Sequence, residues 1–223
     1  MPISHDKKFI FVHLVKTAGD SIEKSLGLQK DNELYGFEDK EGKYYKNIGG
    51  MFLNSIKGID GGMKCLQHLT ASQIKGRYSE EIWNSYYKFS FVRNPWDIVV
   101  SQYSYIIQNR KDLYKVWGVN QSTSFHDFVM NAKVGCFPQF MFLCSQYDCL
   151  VDENGDVLVD FIGRFENLEQ DFKKVCEKIG IEVDLKKTNS TDRGNYRDYY
   201  DEETKKRISD IFKKDIEYFS YEF

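Results

Sequence analysis

The chain has no C-x-x-C pair among its five cysteines, Cys65, Cys136, Cys144, Cys149 and Cys176. An odd count without metal-type spacing reads as reduced, mostly packing thiols, with Cys144 and Cys149 close enough in sequence to bridge in an oxidising compartment. No run approaches the ~18 apolar residues of a membrane-spanning helix, so no membrane span is expected. The N-terminal MPISHDKK is polar and leads straight into an apolar stretch, so no secretory leader is read and a cytoplasmic location is the expectation. The nucleoside-triphosphate loop G-x-x-x-x-G-K-[ST] is absent, and no magnesium carboxylate stands out after a later strand. With only four histidines and no ligand spacing, no metal is expected. There is no low-complexity tract and no repeat beyond the two loop motifs described below.

What is present describes one α/β domain. A chain of 223 residues, 41% hydrophobic and 29% charged, has enough apolar material for a full core, and residues 1–223 read as a single domain. A net charge of −3 argues against a broad nucleic-acid surface, although it leaves room for a local anion site. Seventeen Phe and fifteen Tyr promise thick packing and stacking surfaces for a base or a sugar. Residues 28–62 are glycine-rich and polar, and read as a long irregular connection that either contacts substrate or is a solvated insertion.

Two strand–turn–helix units organise the rest. Phe9–Val15 is continuously apolar, as a buried parallel strand is, and Lys16-Thr17-Ala18-Gly19-Asp20-Ser21 then breaks the run before a helix through Ile22 and Leu26. Such a turn aims backbone N–H groups and a lysine at an anion, or is an ordinary βα connection with a surface lysine. The second unit is the strand Tyr87–Val92 followed by Arg93-Asn94-Pro95-Trp96-Asp97. Asn94 is placed as N-cap, Pro95 at the first helical position and Asp97 closing the cap. Val99, Val100, Tyr103, Ile106 and Ile107 continue the helix on one face. Further elements are expected at Ser72–Tyr78 (helix), Val157–Ile162 (strand after the Asp152–Gly155 turn) and Glu166–Ile179 (amphipathic helix ended by Gly180).

The order of these motifs carries a resemblance. His13-x-x-Lys16-Thr17-Ala18-Gly19-x-Ser21 resembles the 5′-phosphosulfate loop of sulfotransferases, in particular the carbohydrate (type 2) branch, and Phe89–Tyr103 resembles their 3′-phosphate motif. Val15 stands where that branch usually has proline. Asp20 stands where it usually has threonine or serine, and puts a negative charge close to the proposed anion. Asp160–Leu168 is similar to the family's late strand and helix, and Asn189–Tyr200, with Arg193-Gly194, to the loop that covers the nucleotide. The resemblance implies a three-layer αβα, P-loop-like sulfotransferase fold with a central parallel sheet of about four or five strands, Phe9–Val15 beside Tyr87–Val92. It implies transfer of a sulfuryl group from 3′-phosphoadenosine 5′-phosphosulfate to a hydroxyl of an acceptor, a carbohydrate by family analogy. Lys16 and the N–H groups of Thr17, Ala18, Gly19, Asp20 and Ser21 then stabilise the leaving phosphate, while Arg93 and Ser101 hold the 3′-phosphate and Arg193 or Arg197 touches the nucleotide. Animal members are Golgi membrane proteins with an N-terminal anchor, a segment not found in this sequence.

The reaction also needs a base for the acceptor proton. Gln67-His68-Leu69-Thr70 lies between the two phosphate motifs and resembles the segment carrying the catalytic histidine of related carbohydrate enzymes, so His68 is the preferred candidate, its rate rising with pH through the imidazole pKa. His13 reads as a hydrogen-bonded core histidine. His5 is placed in a frayed terminus and His126 on an amphipathic helix without a motif. Glu38 and Asp60 are the carboxylate alternatives. Two other functions fit less of the chain: a nucleotide-dependent, kinase-like phosphotransferase, and a non-catalytic nucleotide-binding relative.

Overall fold

The computed structural model describes residues 3–28, 37–38, 44–45, 68–135, 143–186 and 193–223. In chain order the strands and α-helices begin with β1 (Ile3–Ser4), β2 (Phe9–Val12), α1 (Gly19–Ser25), β3 (Phe37–Glu38), β4 (Tyr44–Tyr45), α2 (Ala71–Lys75) and α3 (Glu80–Ser85). They continue with β5 (Tyr87–Val92), α4 (Pro95–Asn109), α5 (Tyr114–Trp117), α6 (Phe125–Asn131) and α7 (Gln146–Leu150). The last are β6 (Phe161–Arg164), α8 (Leu168–Ile179), α9 (Glu202–Ile211) and α10 (Lys213–Phe219).

The main sheet runs β1-β2-β5-β6. β2 and β5 are parallel neighbours, with Phe9 opposite Tyr87 and Val12 opposite Ser90, and β6 adds a third parallel strand. The sheet is thus mostly parallel, with β1 turning back antiparallel on β2 at its edge. In the segment read as irregular, β3 and β4 pair antiparallel. The two faces of the sheet serve two cores. Phe9, Phe11, Phe89 and Phe91 pack with Ile22 of α1 and Phe172, Val175 and Ile179 of α8, while Ile10, Val12 and Val92 pack with residues of α2, α4, α6, α7 and α9. Both faces are covered by helices, which is why β2 reads as an apolar run rather than an alternating one. Each buried Phe contributes roughly 1.5–3 kcal/mol. Gly163 of β6 is required by this packing, since a Cβ there would lie 2.4 Å from Phe91 Cε1.

Several boundaries move, each for a local reason. β2 stops at Val12 rather than Val15 because the following carbonyls are taken by side chains: His13 O by His68 Nδ1 at 3.1 Å and Leu14 O by Thr17 Oγ1 at 2.9 Å. β6 starts at Phe161 rather than Val157, because Val157 bridges back to Val151 and the pairing with β5 begins where Asp160 Oδ2 accepts from Lys88 N at 2.7 Å. α8 starts at Leu168 rather than Glu166, whose Oε1 accepts from Asn94 N at 2.6 Å. α2 covers Ala71–Lys75 rather than Ser72–Tyr78, with a Thr70–Gln73 capping box. The Cys144 and Cys149 sulfurs lie 3.1 Å apart, within hydrogen-bond reach of each other. Cys65, Cys136, Asp60, Gln67 and Asn189 to Asp192 lie outside the described residues, as does the side chain of Glu38.

Candidate active site

Beyond β2 the chain makes a tight loop before α1. Lys16 (φ +63°) and Ala18 (φ +67°) both take the left-handed conformation, and His68 (φ +71°) does the same across the cleft. Such a backbone costs a non-glycine residue about 1–2 kcal/mol. Three of the five described non-glycine residues with positive φ thus face one cleft, where strain is expected to be functional. The loop is pinned from below by the fully buried Thr17 and from the side by Arg93, whose Nη1 donates to Lys16 O at 3.0 Å. Gly19 is glycine because the His13 ring lies against it: a Cβ would sit 1.8 Å from His13 Nε2. The N-cap residue of α1 is Ala18, which makes no side-chain cap to the first turn.

The Lys16 ammonium sits 4.0 Å from the centroid of the Tyr105 ring. Burial, together with the nearby Arg93, pushes its pKa down to about 8, against the opposing pull of Asp20. Asp20 lines the same cleft.

From β5 comes Arg93, only 6% exposed. Its Nε donates to Asp97 Oδ2 at 2.8 Å, its Nη2 pairs with the same carboxylate at 2.6 Å, and its plane lies 3.7 Å over the Phe165 ring. Gln146 fixes its backbone twice, accepting from Arg93 N and donating to Arg93 O, each at 2.8 Å. Asp97 was expected to close the helix cap. Instead Asn94 Oδ1 caps Trp96 N and Asp97 N, and the Asp97 side chain joins Arg93 to Arg193. Ser101, one turn further along α4, is buried on the cleft wall.

Two histidines complete the site. His13 Nδ1 is hydrogen-bonded to Glu23 Oε1 at 2.7 Å, inside the core. His68 Nδ1 faces the His13 carbonyl at 3.1 Å; a carbonyl only accepts, so the His68 proton is on Nδ1 and Nε2 carries the lone pair. The rings meet edge to face with centroids 4.5 Å apart. Burial first, then His13 and Lys16, hold the His68 pKa well below the ordinary histidine value. His126 is a surface residue beside Glu203, and His5 hydrogen-bonds Tyr86.

Lys16, Ala18, Gly19, Asp20, Ser21, His68, Arg93, Ser101 and Arg193 therefore line one cleft of about 610 Å³ at the carboxyl ends of β2 and β5. Two candidates do not. The Thr17 side chain is turned to Leu14, and the exposed Arg197 lies over Tyr196 and Phe223. Charged lining groups are four cations, Lys16, Arg93, Arg110 and Arg193, against two carboxylates, Asp20 and Asp97, a balance that favours an anion. The fold also brings ligand atoms of His13, Asp20 and Glu23 within 4.8 Å of one another, a grouping the spacing of those residues did not reveal. Glu23 is already bound to His13, so this is a hydrogen-bonded pair with a neighbour rather than a ligand set. Sequence reasoning missed Glu23, Tyr105, Gln146 and Phe165. For the Arg93–Asp97 ion pair, which bridges the start of α4, the spacing of four positions was the available signal.

A model of the Sulfotransferase family matches residues 1–222. An uncharacterised protein of Archaeoglobus fulgidus is 36% identical over 134 residues, covering 58% of this chain and 98% of that protein. No solved structure matches. Among the described residues no helix is long and apolar enough to cross a membrane. With the loop after β2, the arginine after β5 and a family match over nearly the full length, this chain belongs to the type 2 sulfotransferase family.

Proposed function

We propose that the chain, a single domain of three-layer P-loop-like type, transfers a sulfuryl group from 3′-phosphoadenosine 5′-phosphosulfate to a hydroxyl of an acceptor, a carbohydrate by family analogy. The observation that carries this reading is the convergence of Lys16, His68 and Arg93 in one cationic cleft, from segments far apart in sequence. The donor set suits a phosphate-bearing nucleotide: an ammonium, three guanidiniums, a buried hydroxyl and the loop that leads into α1. When bound, the donor supplies an activated sulfuryl group on a phosphate leaving group.

The residues then divide the work. Lys16 lifts off the Tyr105 ring to meet negative charge building on the leaving phosphate, with the N–H groups of Gly19, Asp20 and Ser21 beside it. Arg93 and Ser101 hold the 3′-phosphate. Asp97 keeps Arg93 and Arg193 side by side, so both guanidiniums are oriented before any ligand arrives. His68, neutral and with its lone pair on Nε2, accepts the acceptor proton. The Asp20 carboxylate is the feature that fits a non-catalytic relative, because it opposes an anion in the loop.

The test has two arms. Thermal shift with 3′-phosphoadenosine 5′-phosphate should raise the melting temperature, and ATP with magnesium should not. Transfer of radiolabelled sulfate from the donor to a glycan panel should follow. Stabilisation by ATP–magnesium alone overturns the donor assignment, and donor binding without transfer to any hydroxyl supports the non-catalytic reading.

A further inference from the structure

Glu23, in the second turn of α1, is completely buried. One of its oxygens binds His13, and the other, Oε2, has no hydrogen-bond partner among the described residues. A carboxylate held in a core with one oxygen unpartnered is destabilising, and an apolar pair of similar volume would serve the fold at least as well. The position of the pair gives it another use. The His13 ring is held on four sides: Glu23 at Nδ1, Gly19 against Nε2, Phe11 stacked at 5.5 Å and His68 edge-on at 4.5 Å. The backbone of the same residue accepts the His68 proton. Whatever fixes His13 therefore fixes His68 as well.

We propose that Glu23 is a positioning residue: through His13 it holds His68 in one orientation and one tautomer, as a neutral imidazole with its lone pair on Nε2. The consequence for turnover rests on the sulfuryl-transfer reading above, whereas the protonation states do not. The electrostatics run the same way. Burial alone would lower the His13 pKa, but the charge and hydrogen bond of Glu23, helped by Asp20, outweigh it and raise it. A charge on His13 then opposes a second one on His68, in addition to burial and to Lys16. The charged groups facing the pair are Glu23 and Asp20 from α1 and Lys16 from the loop, with a weaker contribution from the chain's amino terminus. His13 and His68 titrate as one coupled system.

Histidine-labelled full-length protein should be titrated by NMR as wild type, Glu23→Gln and Glu23→Asp. In the wild type, His13 should titrate above the ordinary value of about 6.5 and His68 well below it. In Glu23→Gln, His13 should lose its proton in the neutral range and the His68 step should rise by about one pH unit, with the acid limb of kcat/KM following it. Glu23→Asp should restore part of the wild-type pattern. A purely structural Glu23 would lower the melting temperature and leave the His68 titration where it was, and that outcome overturns the proposal. If Glu23→Gln does not fold, the wild type still decides: a His13 that titrates below the ordinary value overturns it. Because the readout is protonation, a protein that transfers no sulfate to any acceptor can still pass this test, and one that transfers it can still fail.

Discussion

The two strand–turn–helix units look alike in sequence and are built to opposite ends. After β2 the turn is strained: Lys16 and Ala18 are left-handed, the N-cap residue of α1 is an alanine that makes no side-chain cap, and the lysine ammonium lies over an aromatic face. After β5 the turn is relaxed and complete. Asn94 caps α4, Pro95 starts it, and Gln146 satisfies both backbone groups of Arg93. Even the Arg93 guanidinium is engaged, with Nε and both terminal nitrogens each bonded within the protein. One turn brings a strained backbone and a lysine to the cleft, and the other uses most of its polar groups to hold the cleft in shape. The first is therefore read as the place where charge changes during the reaction, and the second as the frame that holds it.

The largest test of that division lies opposite the first turn. His68→Ala should lower turnover by about 10²- to 10⁴-fold, the range of general-base catalysis, with donor affinity within a factor of about two. Loss of donor affinity together with activity would make His68 part of the frame. Next comes Lys16→Ala, expected to cost about 10²–10³ in turnover as one charged donor to the transition state is removed. The pH dependence sharpens it. The Lys16 pKa is lowered to about 8, so its ammonium is present below that pH and lost as pH rises through it. The rate constant kcat/KM for the donor should fall about tenfold per unit above pH 8, while the neutral His68 keeps the acid side flat to well below the ordinary histidine value. Lys16→Arg should remove the alkaline limb, and a limb that persists there belongs to another group.

Arg93→Ala tests the frame itself. Two N–H bonds of this side chain, one on each terminal nitrogen, remain for a phosphate, so affinity for 3′-phosphoadenosine 5′-phosphate should weaken by roughly 1.5–3 kcal/mol, about 10- to 150-fold. The melting temperature should fall too, because Lys16 O loses its donor and Asp97 loses one of its two guanidinium partners. Calorimetry showing unchanged affinity with lowered stability would leave Arg93 structural alone.

How far the sequence could be read follows from which contacts are local. An apolar run located β2, and the Asn94-Pro95 pair located the start of α4, because burial and capping are written within a few residues. The end of β2 was misplaced by three residues for a related reason: Leu14 is as buried as a strand residue, but its carbonyl turns to Thr17. Apolar character reports burial and not the hydrogen-bond ladder. Lys16, Arg93 and His68 were legible through motif order. Gln146 was not, since its bonds to Arg93 cross 53 positions. Glu23 drew no attention in the sequence, and only the packing of α1 on the sheet makes it a core group.

Asn94→Ala should cost about 1 kcal/mol of stability, by leaving Trp96 N and Asp97 N uncapped, and lower the melting temperature by about 2–4 °C. Turnover at saturating donor should stay within about twofold. A turnover loss approaching that of Lys16→Ala would mean that the cap of α4 takes part in chemistry, and the contrast between the two turns would fail.

The smallest effect is expected from the mirror-image change in the first turn, Ala18→Gly. Alanine at φ +67° carries about 1–2 kcal/mol of steric cost, which glycine removes. Glycine also gives the unfolded chain more freedom, an opposing contribution of about 0.4–1 kcal/mol. The balance is a net gain of up to about 1.5 kcal/mol, read as a rise of a few degrees in melting temperature. Activity decides what the strain is for. If the left-handed backbone at Ala18 is simply imposed by the pinned loop, through Thr17 on Leu14 and Arg93 on Lys16, then Ala18→Gly keeps the same path and turnover is unchanged. If instead alanine's narrower choice of conformations keeps the loop poised, the variant gains stability and loses turnover by several-fold. The two pins favour the first outcome. A stabilised but slower variant would show that the strain in the first turn is itself part of the mechanism.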